Sequence, residues 1–195
     1  VYDGVSAPYE AADIRPGVQN SAPQHLAAFG TSVYFSADDG SGNGRELYSY
    51  DGVNVTLVAE INPGSVGSQP QEFFVFNSKL YFQATDGTHG NELWEYDGTN
   101  TPTMVADIFE GAASSSPSNF AVFDGKLYFQ AEDKDHGDEL WVFDGTNTPS
   151  LVYDIETVTR SGQVNDFMAA FGSYVSFAAG FVDTSDDLMI FTYEQ

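Results

Sequence analysis

One short motif recurs four times along the chain at a nearly constant interval. An aromatic residue followed by Asp-Gly occurs at Tyr2-Asp3-Gly4, Tyr50-Asp51-Gly52, Tyr96-Asp97-Gly98 and Phe143-Asp144-Gly145. The aromatic positions are separated by 48, 46 and 47 residues. A period of about 40–50 residues built from short strands is typical of a propeller blade or a similar repeating β unit. This interval constrains the architecture more than any single residue does.

An apolar pattern with a period of two indicates strands in every unit. Val33, Phe35 and Ala37 share one face of an extended segment. The same pattern returns at Leu80, Phe82 and Ala84, at Leu127, Phe129 and Ala131, and at Val175, Phe177 and Ala179. The opposite face carries Tyr34, Tyr81 and Tyr128 with polar neighbours, so we expect it to be amphipathic. No segment has a convincing helical period.

Each unit contains about four short extended segments separated by Gly, Asn, Asp and Ser. We therefore predict an all-β fold in one domain of residues 1–195, with four tandem four-stranded units. The units span approximately residues 2–49, 50–95, 96–142 and 143–190, with a closing strand at 187–195. A small four-bladed β-propeller is our first interpretation. The alternative is an open repeat stack completed by neighbouring chains.

The two ends of the chain belong to the same type of strand. Residues 187–191 repeat the pattern of residues 92–96, and residues 1–4 supply the later part of that pattern. This arrangement suits closure of a ring by pairing the first and last segments. It equally suits head-to-tail pairing with another copy, which would build a filament. Because the chain begins at Val1, we expect a processed product or an excised segment.

The charge of the chain restricts its partners. Asp and Glu total 29 against 6 Lys and Arg, which gives a formal net charge of −23. Nucleic acid and anionic membrane surfaces would be repelled, so we expect neither as a partner. Cations, basic partners or a salty medium are favoured, since each relieves self-repulsion. We expect no membrane insertion, because no apolar run approaches the roughly 18 residues that a bilayer requires, and the absence of cysteine excludes disulfides.

The segments Glu92–Thr99 and Glu139–Thr146 resemble the ELWxxDGT repeat family. The neighbouring segments Val105-Ala106-Asp107-Ile108, Gly125-Lys126-Leu127-Tyr128-Phe129 and Asp86-Gly87-Thr88-His89-Gly90 agree with it as well. The resemblance covers all four units and is closest in the second and third. It implies a β-propeller-like repeat of a secreted or surface protein, so we expect an extracellular or cell-surface location. The first unit departs from the motif with Tyr48, and the fourth with Met189. No catalytic residue follows from the resemblance.

The loops that follow the alternating apolar segments, after Ala37, Ala84 and Ala131, suggest a metal site. They carry three equivalent aspartates followed by three equivalent glutamates: Asp39, Asp86, Asp133, Glu46, Glu92 and Glu139. Carboxylates, glycine turns and backbone carbonyls together form the oxygen shell that calcium prefers, so we predict calcium as a cofactor. The alternative is that each aspartate stabilises its own turn through a backbone hydrogen bond.

Aromatic and histidine residues provide further candidates. Trp94, Trp141 and the aligned Tyr48 would either stack on a sugar or fill the interface between blades, and their position within an apolar strand favours packing. His89 and His136 are equivalent, and we interpret them as loop histidines without a metal. The chain contains no GxSxG, HExxH, phosphate-binding GxxxxGK[ST] or cysteine nucleophile, so we predict that it is not an enzyme.

These observations favour a non-catalytic extracellular structural or adhesion module, supported by calcium and able to assemble head to tail into filaments. The expected partners are copies of the chain or other surface proteins. The alternative is a lectin-like β-propeller that binds carbohydrate through aromatic side chains and polar loops. A hydrolase based on a carboxylate pair is the third and weakest interpretation.

Overall fold

A computed structural model describes residues 4, 5, 7 and 10–154, together with the backbone of the strands at 164–171, 174–180 and 186–192. These residues form antiparallel sheets, and the predicted all-β class is confirmed. The part of the chain that is described contains no helix able to span a bilayer.

Three sheets have four strands each, in sequence order. The first contains β1 (Gln24–Phe29), β2 (Ser32–Asp38), β3 (Arg45–Tyr50) and β4 (Val55–Ala59). The second contains β5 (Gln71–Phe76), β6 (Lys79–Ala84), β7 (Glu92–Tyr96) and β8 (Thr103–Ala106). The third contains β9 (Ser118–Phe123), β10 (Lys126–Asp133), β11 (Gly137–Phe143) and β12 (Ser150–Tyr153).

The fourth sheet has three strands among the described residues. They are β13 (Val164–Phe171), β14 (Tyr174–Gly180) and β15 (Asp186–Thr192), paired in that order. Sequence equivalence predicted four strands in this unit as well. The sheets are also out of phase with the units counted from the Asp-Gly motifs, because each sheet begins about half-way through a counted unit. Residues 1–3, on which the predicted terminal pairing depends, lie outside the described part of the chain.

The first strands of successive sheets lie side by side, in the order β1, β5, β9 and β13. The sheets therefore stand around a common centre and pack face against face. One core joins the first and second sheets through Tyr34, Leu47, Phe82 and Trp94. A second core joins the second and third sheets and includes Tyr81. Because the second sheet lies between two neighbours, both faces of β6 are covered.

The alternation predicted in the middle strands is confirmed, with one correction. Phe35, Phe82 and Phe129 are all buried, as expected for the apolar face. The opposite face was expected to be amphipathic, yet Tyr34 and Tyr81 are also buried. A sheet packed on both faces removes the solvent side that half-buried strands normally have.

The first strands of the first three sheets contain a recurring irregularity. His25, Glu72 and Asn119 occupy equivalent places in β1, β5 and β9, and each has a positive φ of 54–57°. The pairing register with the next strand shifts in the same part of all three strands, which marks a β-bulge. Left-handed backbone is unfavourable for residues other than glycine. Histidine and asparagine are among the residue types enriched in this region whereas glutamate is not, so packing contributes to the bend at Glu72.

Candidate functional site

Each four-stranded sheet has two chemically different ends. The loop between the second and third strands and the linker to the next sheet lie at one end, which we call the acidic end. The turn between the first two strands and the Asp-Gly turn between the last two lie at the other, which we call the DG end. Antiparallel order alone produces this division. The predicted metal ligands belong to the acidic end.

The three predicted glutamate ligands are buried at the acidic end. Glu46, Glu92 and Glu139 have exposed fractions of only 1%, 0% and 0%. They begin the ELW-type segments of β3, β7 and β11, on the same face as Tyr48, Trp94 and Trp141 two residues later. The alternation of side chains along a strand thus turns each glutamate inward together with the following aromatic residue.

Backbone and hydroxyl donors surround two of these carboxylates, those of Glu46 and Glu92. The Glu92 carboxylate accepts hydrogen bonds from the Ile108 N–H at 2.9 Å, the Ser115 N–H at 2.9 Å and the Ser115 hydroxyl at 2.5 Å. Glu46 has the same arrangement: it accepts from the N–H groups of Ile61 and Ser68 at 3.0 and 3.1 Å, and from the Ser68 hydroxyl. Burial raises the pKa of Glu46 and Glu92, and these hydrogen bonds oppose the rise.

Glu46 and Glu92 therefore each connect two sheets. Glu46 lies in the first sheet, whereas Ser68 lies in the linker that enters the second sheet three residues later. Glu92 and Ser115 make the equivalent connection between the second and third sheets. We call these two contacts the Glu–Ser connections. Their carboxylates face protein donors, which is a different environment from the calcium-binding loops that the sequence predicted.

The predicted aspartate ligands stabilise turns at the acidic end. The Asp86 carboxylate accepts from the N–H groups of Thr88 and His89, both at 2.8 Å, and its other oxygen lies 2.8 Å from His89 Nδ1. Asp39 accepts from the Ser41 N–H at 2.8 Å. These contacts match the alternative interpretation of Asx turns. Nowhere in the described ranges do three or more His, Cys, Asp or Glu side chains gather as a metal site would require.

Two of these turns contain a histidine paired with its aspartate. Asp133 repeats the arrangement of Asp86, with an oxygen 2.8 Å from His136 Nδ1. The hydrogen bond to Asp86 raises the pKa of His89, and Asp133 raises the pKa of His136 in the same way. Burial opposes the ionised form of Asp86, but the hydrogen bonds from His89 and Thr88 prevail and its pKa is lowered. The raised pKa of each histidine and the lowered pKa of each aspartate both favour the charged form of these two His–Asp pairs.

The predicted sugar-binding aromatics lie in the protein interior. Tyr48, Trp94 and Trp141 have exposed fractions of 5%, 8% and 9%. Trp94 and Trp141 belong to the cores that join neighbouring sheets, and Tyr48 packs with Phe35 and Ala37. The packing interpretation of these three residues is therefore the one that the structure supports. No flat face of these rings is available for stacking on a sugar.

A cleft that sequence reasoning missed lies at the DG end. It has a volume of about 390 Å³ and lies between the second and third sheets. Lys79 and Glu95 line one side, and residues 145–148 line the other. The Lys79 ammonium lies 2.6 Å from a Glu95 oxygen. The buried Tyr81 hydroxyl donates to the other Glu95 oxygen at 3.1 Å, and burial, reinforced by the charge of Glu95, raises the pKa of Tyr81.

Glu95 breaks the symmetry of the repeat. Tyr34, Tyr81 and Tyr128 pair in register with Ser49, Glu95 and Val142, so of these three sheets only the second places a carboxylate there. This departure from the repeat was the signal that the sequence offered, and it was visible only after the strands were aligned in register.

No protein-family model matches the chain, and no curated protein matches it in sequence. Similar folds occur among solved structures. The β-propeller domain of the Trilobed protease from Pyrococcus furiosus, described as having an open velcro topology, superposes with a TM-score of 0.58 at 10% identity, covering 90% of this chain and 54% of that one. The acylaminoacyl peptidase of Pyrococcus horikoshii gives a TM-score of 0.53 at 10% identity, and the match covers 91% of this chain and 28% of the peptidase. A prolyl endopeptidase gives a TM-score of 0.53 at 13% identity, and the match covers 84% of this chain and 23% of the endopeptidase.

These likenesses establish a β-propeller fold and nothing about activity. The chain spans about half the length of the first of these structures and about a quarter of the other two. The number of blades and the ELWxxDGT resemblance remain predictions from the sequence.

Proposed function

We propose that the chain is a non-catalytic structural module of an extracellular surface or adhesive protein. The observation that carries this proposal is the use of the recurring acidic residues. The acids that the sequence repeats most regularly form turns or Glu–Ser connections, so the repeated chemistry serves the scaffold. A module of this kind transmits load between the parts of a larger protein.

The Glu–Ser connections support a load-bearing role. In a chain of repeats, stability is approximately the sum of the repeat stabilities and the interface energies between neighbours. A buried carboxylate with three or more donors from the adjacent linker strengthens that interface term, because hydrogen bonds to charged groups are stronger than neutral ones. The sheets are then expected to resist force as one unit.

Single-molecule force spectroscopy tests the proposal. The chain is held between tethers at its two ends, and we expect one cooperative rupture for the described sheets. The double variant Ser68→Ala/Ser115→Ala should convert this rupture into stepwise unfolding, whereas Ser65→Ala/Ser150→Ala, which alters two exposed serines, should not. Separate low-force unfolding of the sheets in the unaltered chain would contradict a load-bearing role.

A second candidate function is binding of a neutral saccharide in the cleft at the DG end. The specific observation is the Lys79–Glu95 pair, because an ammonium donor beside a carboxylate acceptor matches adjacent sugar hydroxyls. Thr146, Asn147 and Thr148 add further polar groups on the facing side. This arrangement replaces the aromatic platform that the lectin-like interpretation assumed.

A panel of immobilised neutral glycans tests this candidate. We expect saturable binding by the unaltered monomer and its loss in Glu95→Ser, which installs the residue found at the equivalent position of the first sheet. Val142→Ser, the corresponding change in the third sheet, is the matched control and should leave binding unchanged. Equal binding by Glu95→Ser and the unaltered chain would remove the cleft from consideration.

A further inference from the structure

One Asp-Gly turn at the DG end carries a motif that its counterparts lack. The turn between β3 and β4 ends at Asn54, and Val55 and Thr56 begin β4. The segment Asn54-Val55-Thr56 has the form Asn-x-Ser/Thr, with x other than proline, that N-linked glycosylation requires. Of all the asparagines in the chain, only Asn54 begins such a segment.

The motif results from a difference in the length of the turn. In the second sheet the corresponding residue is Asn100, and the threonine that begins β8 is Thr103, three residues later. In the first sheet the turn is one residue shorter, so Thr56 lies two residues after Asn54. The third sheet has the longer form as well. In the longer form of the second sheet, Pro102 occupies the place where the motif needs a hydroxyl group.

The first of these turns also has more open space around it than the other two. A Cβ atom built on Gly98, in the turn of the second sheet, would lie 3.3 Å from the Phe29 ring. One built on Gly145, in the turn of the third sheet, would lie 2.8 Å from the Asn77 side chain. Each of those turns thus packs on the sheet before it. A Cβ atom built on Gly52, in the first turn, meets no atom of the described part of the chain within 4 Å.

The side chains of the first turn are accessible to an enzyme. Asn54 and Thr56, the two residues that define the motif, are both exposed. Val53, directly before the motif, has an exposed fraction of 77%. The corresponding residues of the other two turns are Thr99 and Thr146, so only the first turn places an apolar side chain there. A glycan attached at the next residue is bulky and polar, and it would cover Val53.

The hydrogen bonds of the turn are compatible with a glycan on the side chain of Asn54. The Asp51 carboxylate accepts from the N–H groups of Val53 and Asn54 at 2.8 and 2.7 Å. The Asp51 N–H donates to the Asn54 carbonyl at 3.2 Å. All three donors are backbone groups, so a substituent on the side-chain amide leaves these contacts intact. A glycosylated asparagine also keeps one of its two amide hydrogens and can still donate through it.

We propose that Asn54 is an acceptor for N-linked glycosylation and that the glycan covers the Asp-Gly turn of the first sheet. The donor is an oligosaccharide carried on a polyprenyl diphosphate. The Asn54 Nδ2 atom forms a bond to C1 of the first sugar while the bond from C1 to the diphosphate oxygen breaks. The polyprenyl diphosphate leaves with the electron pair of that bond, and Nδ2 releases one proton. Such a site rests on the extracellular role proposed above, because the transferring enzymes act on chains that enter a secretory route.

Expression of the full chain behind a cleavable signal sequence in a eukaryotic secretory host tests the site. We expect a mass increase equal to one oligosaccharide, which peptide N-glycosidase removes from the native protein because the turn is exposed. Asn54→Gln and Thr56→Ala should abolish the increase, and Thr56→Ser should retain it because it keeps the hydroxyl group. Pro102→Thr is the matched comparison, since it builds the same motif at Asn100, where the turn packs on the first sheet.

The melting temperature shows whether the fold accepts the glycan. We expect it to be equal before and after enzymatic removal of the glycan at Asn54, and lower with a glycan at Asn100 than without it. An unmodified Asn54, in cells that glycosylate Asn100 of the Pro102→Thr variant, would overturn the acceptor site. Release of the glycan from Asn54 only after denaturation would overturn the open turn. Because the host supplies the secretory route, either result leaves the structural module standing, whereas separate low-force unfolding of the sheets contradicts the module and not an observed glycan.

Discussion

At the scale of single residues, the buried glutamates contribute to stability through the donors that they satisfy. Glu92→Ala leaves two N–H groups and one hydroxyl, from Ile108 and Ser115, without their acceptor. Because each unsatisfied buried donor costs about 1–3 kcal/mol, and relaxation recovers part of this, we expect the free energy of unfolding to fall by about 3 kcal/mol. Urea denaturation measures the change, and Glu110→Ala, at an exposed position of the linker, should shift it by less than about 0.5 kcal/mol. Equal effects of the two variants would contradict the role assigned to Glu92.

The His–Asp pairs give stability a defined dependence on pH. The pKa of His89 and of His136 is raised in the folded state by their aspartates, from an ordinary value of 6.5. Their contribution is therefore fully present below that ordinary value and is lost as the pH rises through the folded-state pKa. Asp107 and Glu92 near His89, and Asp154 and Asp135 near His136, act in the same direction.

We expect the denaturation midpoint to fall as the pH rises above 6.5, the ordinary pKa of histidine. His89→Gln/His136→Gln should remove most of this slope, because it removes both pairs. His25→Gln is the matched control, since it removes the third histidine and leaves both pairs intact. An unchanged slope in the double variant would show that other groups cause the dependence.

Residue alternation explains which part of the candidate site was predictable. The acidic residues of the loops were identified as equivalent, and the turn role given as the alternative for the aspartates matches their contacts. The Glu–Ser connections were not predicted. The same period of two that turns Trp94 inward also turns Glu92 inward, so the sequence did contain the signal for a buried carboxylate. The serine partner could not be found from spacing alone, because Ser115 lies 23 residues away and reaches Glu92 only through packing of the linker.

At the scale of elements, the linkers fit against the preceding loops with little space. A Cβ atom built on Gly90 would lie 1.9 Å from the Ala113 carbonyl oxygen, and the Gly90 N–H donates to the Gly111 carbonyl at 3.3 Å. Backbone cannot move aside as a side chain can, so we expect Gly90→Ala to cost about 2 kcal/mol or more, in the range of overpacked cores. Thermal denaturation measures the loss.

Gly125→Ala is the comparison for this prediction. Gly125 has a φ of +69°, and a Cβ atom added to it would meet no other atom within 4 Å. Its substitution should cost only the left-handed backbone penalty of about 1–2 kcal/mol. A smaller loss at Gly90 than at Gly125 would mean that the linker shifts to accept the added methyl group.

Strand existence was predictable at this scale, and strand geometry was not. The alternating pattern located β2, β6 and β10 because apolar side chains there recur with a period of two. The bulges of β1, β5 and β9 place His25, Glu72 and Asn119 in left-handed backbone. Histidine and asparagine are enriched in such backbone but glutamate is not, so residue type alone does not predict the bend and packing around the common centre contributes to it.

At the scale of the whole molecule, the net charge of −23 sets the response to salt. Like charges spread over the surface repel one another, and the Debye length falls from about 30 Å at 0.01 M to about 8 Å at 0.15 M ionic strength. The folded state holds these charges closer together than the unfolded chain does, so screening favours folding. Stability should therefore rise with ionic strength for any simple salt.

The identity of the cation should matter little, because the carboxylates that the sequence suggested for calcium already accept hydrogen bonds from the protein. Glu46 and Glu92 bind linker donors, and Asp86 binds its own turn. We expect the melting temperature to be the same in calcium chloride and in sodium chloride with chelator, when the two are matched in ionic strength, and to rise in both as ionic strength increases. Differential scanning calorimetry makes the comparison. Glu92→Gln is the control: we expect it to melt at a lower temperature than the unaltered chain and to show the same salt response in both media. A rise of several degrees at sub-millimolar calcium, absent with chelator, would show that a specific calcium site contributes to the stability of this β-propeller.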